Sequence, residues 1–224
     1  MPYVSKVQLV SSGIYKVTID DVRFFLEPHI FFSYKLRVGE QITEELLGQI
    51  TTEAMRLQIK QRAIFLLYMR QHSQAELKRK LRTKFREHDL IDEVLRNIAE
   101  QGLLDDAQFA EHYTESLVRK HSGVNKIKAK LFEKGISREI SKENLERTQD
   151  ELAEEYQEGL TEEFRKKWKQ LGKKNLEQKD MIIRVTRYLL SRGFTFQEIK
   201  KCINENMDQL SDESESLLED DGQL

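Results

Sequence analysis

Two stretches of this chain run through the same order of residue types. "LFEKGISREI" (131–140) and "LLSRGFTFQEI" (189–199) both read Leu, two residues, a base, Gly, an apolar residue, a hydroxyl residue, then Glu-Ile. Glycine enters the left-handed backbone region without a steric penalty and ends a helix there. In the second stretch Thr195 is followed three positions later by Glu198, which opens the next helix as a capping box. A third copy is altered. Leu81, Leu131 and Leu189 each stand four residues before Phe85, Gly135 and Gly193, and Ile91, Ile140 and Ile199 follow at similar distances. A junction met three times at such spacing predicts a tandem repeat of helical units.

Helix boundaries support that reading. Both prolines, Pro2 and Pro28, lie near the N-terminus, so nothing downstream forbids helix. From about Thr43 the apolar residues recur three or four apart, as in Leu46, Leu47, Ile50, Ala54, Leu57 and on to Leu66. Gly102, Gly123, Gly135, Gly172 and Gly193 punctuate the pattern as expected C-terminal caps, whereas Gly159 fits the inside of a helix. Ser73 with Glu76, and Thr195 with Glu198, read as helix starts; Asp105 and Asp89 open two more. Nine helices in three sets are predicted, at roughly 45–71, 73–85, 89–101; 105–120, 123–134, 137–148; and 150–171, 175–192, 195–207.

Residues 1–44 differ, being rich in Val, Ile, Phe and Tyr with partial alternation. They predict a small antiparallel sheet of about three strands, with Asp20-Asp21 at a hairpin turn. The expected fold is therefore mainly α. Three helix-turn-helix-like repeats (45–103, 104–148 and 149–207) form an elongated, curved chain after the β region, and an acidic tail (208–224) follows. Such a chain presents equivalent helices at regular intervals, which suits a polymeric partner.

Several function classes are disfavoured. The chain has 38% hydrophobic and 34% charged residues, and its single cysteine, Cys202, fits a packed thiol in a reducing cytoplasm. Five scattered histidines give no zinc spacing, and no apolar run suggests a membrane span. No phosphate-cradling glycine loop, nucleophile elbow or metalloprotease motif is present. Asp105-Asp106 is explained by a helix N-terminus, and His72 and His88 fall in loops without an acid–base partner. The reading is a non-enzyme with no cofactor and no metal. Phe109, Tyr113, Phe132, Phe164, Trp168 and Tyr188 fall at core-like spacing.

The net charge of −2 conceals a segregation. Residues 208–224 hold Asp208, Asp212, Glu213, Glu215, Glu219, Asp220 and Asp221 and no base, so all 37 Lys and Arg lie in a net basic body. Such a tail either solubilises the chain or competes with nucleic acid for that body. The densest basic stretch is "LKRKLRTKFR", with Lys78, Arg79, Lys80, Arg82, Lys84 and Arg86 and no acid among them. The bases are expected to wrap around one helix that keeps only a narrow Leu77/Leu81 stripe apolar. The middle helix of the second set repeats the theme with Lys126, Lys128, Lys130 and Lys134, and that of the third with Lys179, Arg184, Arg187 and Arg192. Bases on equivalent helices of all three sets point to an anionic partner, bound mainly through phosphates or an acidic groove.

With these residues in view, the sequence resembles the RecX family of bacterial recombination regulators. The resemblance rests on "SQAELKRKLRTKF", "IAEQGLLDDAQFAEHY", "IKAKLFEKGIS" and "YLLSRGFTFQEI" in that order, and most specifically on Leu104-Asp105-Asp106-Ala107-Gln108-Phe109-Ala110. The N-terminal strands before "LRVGEQI" resemble the extended form of Gram-positive bacteria. "KHSGVNKIKAKL" lacks the Gly-Pro often found before the second middle helix, and residues 150–178 match little. The resemblance implies a cytoplasmic, monomeric protein of DNA repair and the SOS response. It would bind RecA filaments on single-stranded DNA, with duplex as a further ligand, and damp strand exchange, ATP hydrolysis and coprotease activity. The rivals are a helix-turn-helix-like DNA-binding protein acting without a recombinase, and a helical scaffold.

Overall fold

A computed structural model of the chain describes residues 1–10, 13–174 and 176–207. The acidic tail at 208–224 lies outside the described residues. The fold is mainly helical with one small antiparallel sheet, as predicted, and divides into two compact units that meet in sequence between Asp105 and Asp106.

The first unit opens with β1 (Val4–Leu9), β2 (Tyr15–Ile19) and β3 (Val22–Leu26), antiparallel in that order. Ile19 pairs directly with Val22, so Asp20 and Asp21 form a two-residue turn. Both have positive φ, 44° and 67°, which matches the right-handed twist of the flanking strands. Sequence reasoning missed a short helix, α1 (Pro28–Ser33), inside the region read as strand. Proline lacks the N–H that a helix start leaves unpaired, so Pro28 begins a helical turn. That turn drops Phe31 onto the sheet, where its ring stacks on Tyr15 at 4.0 Å.

The sheet does not stand alone. Helix α2 (Glu44–Met69) starts at Thr43, whose Oγ1 accepts from the N–H of Leu46 at 3.1 Å. Its first half supplies Ile50 and Ala54 to a core with Val4, Val17, Ile19, Leu26 and Phe31. Its second half supplies Ile59, Ala63 and Leu66 to a different core, shared with α3 (Gln74–Arg82) and α4 (His88–Glu100). Leu77, Leu81, Ile91 and Leu95 fill that second core. Ser73 caps α3 through the N–H of Glu76. Helix α4 begins one residue before Asp89, with Glu87 at the capping position.

The second unit contains α5 (Asp106–Val118), α6 (Val124–Glu133), α7 (Arg138–Glu151), α8 (Ala153–Gly172), α9 (Gln178–Ser191) and α10 (residues 196–207). Three helices of the chain end in the same way. Gly102, Gly135 and Gly193 have φ of 71°, 74° and 93°. At each, the glycine N–H and the next N–H turn back to carbonyls three and five residues earlier, as with Gly193 to Leu190 and Phe194 to Leu189. These are Schellman closures, and the residue after Gly135 or Gly193 (Ile136 or Phe194) becomes a buried plug. In the first set Phe85 itself is the plug, with no left-handed residue, which is why the glycine is missing there.

Gly123 and Gly172 are not such caps. Gly172 is the last residue of α8, and Gly123 sits at the N-cap of α6 with φ −73°. No side chain caps α6 at that position. Instead the N–H groups of Gly123 and Asn125 donate to the carbonyls of Arg192 and Gly193 at the end of α9, both at 2.9 Å. The N–H between them, of Val124, donates to the Tyr156 hydroxyl of α8 at 3.1 Å. The contact needs both glycines: a Cβ on Gly123 would lie 2.1 Å from the Phe194 nitrogen, and one on Gly193 2.4 Å from the Lys126 nitrogen. Gly159 is inside α8, as expected, and the ring of His121 lies where its Cβ would be.

Gly193→Ala therefore combines a left-handed alanine with a backbone collision. It should destabilise the chain by at least ~2 kcal/mol. Gly172→Ala, which meets open space without a positive φ, should be neutral or stabilising by a few tenths of a kcal/mol. Urea titrations of the two variants test the difference, and equal stabilities would contradict the joint described above.

Candidate anionic-partner interface

The middle helix of each set carries the predicted bases, and its neighbours decide which of them remain available. On α3 the apolar stripe is the fully buried Leu77 and Leu81, which orients the helix against α4. That orientation brings Lys78 to Asp92 of α4, with Nζ 2.6 Å from Oδ1, and Arg82 within 3.8 Å of the same carboxylate. Hydrogen bonding from Lys78, with the charges of Lys78 and Arg82, holds the Asp92 carboxyl below its ordinary value, against the opposing effect of burial. Helix α3 ends at Arg82, so Lys84 and Arg86 lie in the connection to α4 rather than on the helix as expected. Lys84 places its ammonium over the Phe85 ring, 5.7 Å from the centroid. Arg79 is exposed and Lys80 half-exposed, neither with a carboxylate within 4 Å among the described residues.

On α6, Lys130 pairs with Glu133 at 2.7 Å. Lys134 lies over the Tyr113 ring, and Lys126 packs its Cβ against Gly193 in the joint. Lys128 is exposed and pairs with no carboxylate among the described residues. Beside it, Phe132 is 76% exposed, which corrects the expectation that it is core. Phe109 and Phe164 are buried as predicted, and Tyr113, Trp168 and Tyr188 pack at the edges of their cores.

On α9, Lys179, Arg184 and Arg187 are exposed and similarly unpaired among the described residues. Arg192 is turned inward. Its guanidinium donates to the carbonyls of Lys120 and His121 and lies 3.6 Å from Glu163. Glu163 is buried on α8, accepts from the Tyr188 hydroxyl, and has His121 3.6 Å away. Burial opposes its ionisation, but Tyr188, Arg192, Lys166 and His121 outweigh that and hold its carboxyl below the ordinary value. Arg192 is thus committed to holding the joint between α6 and α9.

Cys202 is buried, and burial pushes its thiol up, away from the reactive thiolate. His72 is buried in the loop before α3, and its Nδ1 donates to the Arg70 carbonyl at 2.8 Å. Among the described residues no cluster of three metal-ligating side chains exists, and no helix is long and apolar enough to cross a membrane. The interface offers exposed cations on helices, and Lys128 lines the same groove as the exposed Phe132.

Comparison with known proteins gives this geometry a context. Two family models match the second unit: one described as RecX, second three-helix domain, over residues 105–145, and one described as RecX, third three-helix domain, over residues 154–203. The regulatory protein RecX of Listeria monocytogenes is 29% identical over 215 residues, covering 94% of this chain and 78% of that protein. Its counterpart from Clostridium acetobutylicum is 26% identical over 186 residues, covering 83% and 86%. A crystal structure of a regulatory protein RecX superposes with TM-score 0.75 at 18% identity, over 91% of this chain and 100% of that one. A RecX structure from Lactobacillus salivarius does so with TM-score 0.60 at 22% identity, over 67% and 95%. At those identities the two structures speak for the fold.

Replacing Asp92 with Asn removes the acid that occupies Lys78 and Arg82. Since the folded carboxyl is depressed, its contribution is present above the unfolded value near ~3.9 and is lost as pH falls through the lower folded value. Asp92 is 39% exposed, so the cost at neutral pH should not exceed ~1 kcal/mol. Urea melts of Asp92→Asn and the parent protein should differ at neutral pH and converge in strong acid; a gap that persists in acid would show that the pair's charge is not the cause.

Proposed function

The chain belongs to the RecX family of regulatory proteins, and on that footing we propose that it binds filaments of a RecA-type recombinase on single-stranded DNA. Bound there, it damps ATP hydrolysis, strand exchange and coprotease activity without catalysing any reaction itself. It acts in the cytoplasm as a monomer, with single-stranded DNA as part of the bound surface and duplex as a weaker ligand.

One observation carries this reading. The middle helix of each three-helix set holds at least one exposed base with no carboxylate partner among the described residues: Arg79 on α3, Lys128 on α6, and Arg184 and Arg187 on α9. A fold that places acids beside Lys78, Arg82, Lys130 and Arg192 leaves these four uncompensated. An ammonium or guanidinium in that state gains by releasing condensed counterions from phosphates, or by pairing with acidic side chains on a protein groove. A filament offers both at a regular repeat. Several weak contacts on one chain then add through effective concentration.

The test is a fourfold reversal, Arg79→Glu, Lys128→Glu, Arg184→Glu and Arg187→Glu, at positions whose exposure spares the core. Co-sedimentation with RecA–single-stranded DNA filaments should fall by about tenfold or more at moderate salt, and inhibition of ATP hydrolysis should fall with it. A folded variant with undiminished inhibition would sink the claim for these bases. Titration of random and fixed duplexes without recombinase separates the rival: salt-insensitive preference for one sequence would make the chain a direct DNA reader.

A further inference from the structure

A groove runs along the outer side of α6 and α7 in the second unit. One part, of 550 Å³, is floored by Phe132, Ile136 and Leu145 and rimmed by Lys128, Arg138 and Lys142. It shares Val124 and Leu145 with a smaller cavity of 230 Å³, whose far wall includes Tyr156 of α8 and Glu198 of α10. Phe132 at 76% exposure is a large apolar side chain left facing water in the middle of it. The rim is net basic: Glu146 lies 3.7 Å from Lys142, while Lys128 and Arg138 pair with no carboxylate among the described residues. An apolar floor with a basic rim suits an acidic segment that carries a short apolar core.

This chain contains such a segment. Residues 215–221 read "ESLLEDD", with Leu217 and Leu218 between Glu215 and the acids Glu219, Asp220 and Asp221. We infer that the C-terminal acidic segment docks in the α6–α7 groove of its own chain, with Leu217 and Leu218 against Phe132 and Leu145 and the flanking acids facing Lys128, Arg138 and Lys142. Charge and apolar pattern match the groove together, which neither a purely acidic tail nor a purely apolar one would do.

The reach is sufficient. The described chain ends at Met207, at the C-terminal end of α10, and Glu198 near the start of α10 lines the groove's inner end. Nine helical residues separate the two, about 14 Å. Residues 208–216 span up to about 30 Å when extended, enough to bring Leu217 back past Glu198 to Leu145. A segment tethered so closely meets its groove at an effective concentration in the millimolar range, so a weak contact is well occupied. The docked segment covers Lys128. If the reading under "Proposed function" holds, it competes with the anionic partner for this part of the interface and sets a threshold for binding.

The docking itself is tested without any partner. Carbodiimide coupling of carboxylates to lysines in the dilute full-length protein, mapped by mass spectrometry, should join residues 215–221 to Lys128 and Lys142. Yield should be independent of dilution and should drop at least about fivefold in the double variant Leu217→Ser, Leu218→Ser, which keeps every acid, and in Phe132→Ser, which removes only an exposed ring. Links spread alike over Lys128, Lys179 and Lys200, or undiminished in the serine variants, would overturn the docking as mere charge attraction. Links found only between two chains would assign the segment to a second copy and overturn it equally. The competition is tested apart: the double serine variant should bind recombinase filaments severalfold more tightly. If linking behaves as expected while filament binding is unchanged, the docking stands and the competition fails.

Discussion

The second unit depends on one backbone contact, in which carbonyls at the end of α9 close the N-terminus of α6. A helix start leaves N–H groups without partners, and burying them unpaired costs about as much as losing the corresponding hydrogen bonds. Sequence usually solves this with a Ser, Thr or Asp cap. Here Gly123 offers no side chain, and the missing acceptors come from Arg192, Gly193 and the Tyr156 hydroxyl. The negative end of one helix dipole thus meets the positive end of another. Burial raises the Tyr156 phenol well above its ordinary value, so it stays a neutral hydroxyl that both accepts from Val124 and donates to Glu198. Because the two backbones are hydrogen-bonded across the joint, the outward face of α6 is fixed relative to α9. The presentation of Lys128 and Phe132 follows from a contact at the N-terminal end of their helix.

The electrostatics divide along the same lines. Bases that face a neighbouring helix are matched: Lys78 and Arg82 share Asp92, and Arg192 meets Glu163. Arg79, Lys128, Arg184 and Arg187, which face outward, have no carboxylate partner among the described residues. A solubilising surface of this charge density usually interleaves signs along a helix, with acid and base four apart. Such pairs occur here at Arg119–Glu115, Lys142–Glu146 and Lys201–Glu205, while the four outward bases just named have no such partner among the described residues. Surface ion pairs contribute little to stability, so Lys78 and Arg82 with Asp92 matter chiefly for which cations stay available, whereas Glu163 is buried with Arg192 in the joint.

The junctions were legible because they are local. A glycine, its apolar successor and a hydroxyl cap lie within a few residues, and the pattern at Gly135 and Gly193 carries all the information needed for a Schellman closure followed by a new helix. The same holds for the Asp20-Asp21 turn and for the three-strand region. What sequence reasoning missed is long-range or conditional. Asp92 looks like any acid on a helix until packing brings it to Lys78, fourteen positions away. Arg192 looks like a basic-face residue until α9 meets α6. Phe132 has core spacing, yet it lies one step beyond the stripe that Leu131 occupies, and only the packing of α7 decides which of the two is buried. Gly123 and Gly172 were read as left-handed caps because glycine has several uses. Only the approach of a second backbone distinguishes a close contact from a turn. For α1, the β-rich composition around Pro28 outweighed the helix-starting meaning of the proline itself.

The double duty of α2 has a consequence for descent. One continuous helix serves as the last layer under the sheet through Ile50 and Ala54, and as the first layer of the three-helix set through Ile59, Ala63 and Leu66. The N-terminal strands are therefore not a detachable bead that could be gained or lost by joining chains at a linker. A relative without them would need a shorter first helix, or polar residues where Ile50 and Ala54 now stand. Two segments that seem separable by composition are bound to change together, because they are written on opposite ends of the same helix.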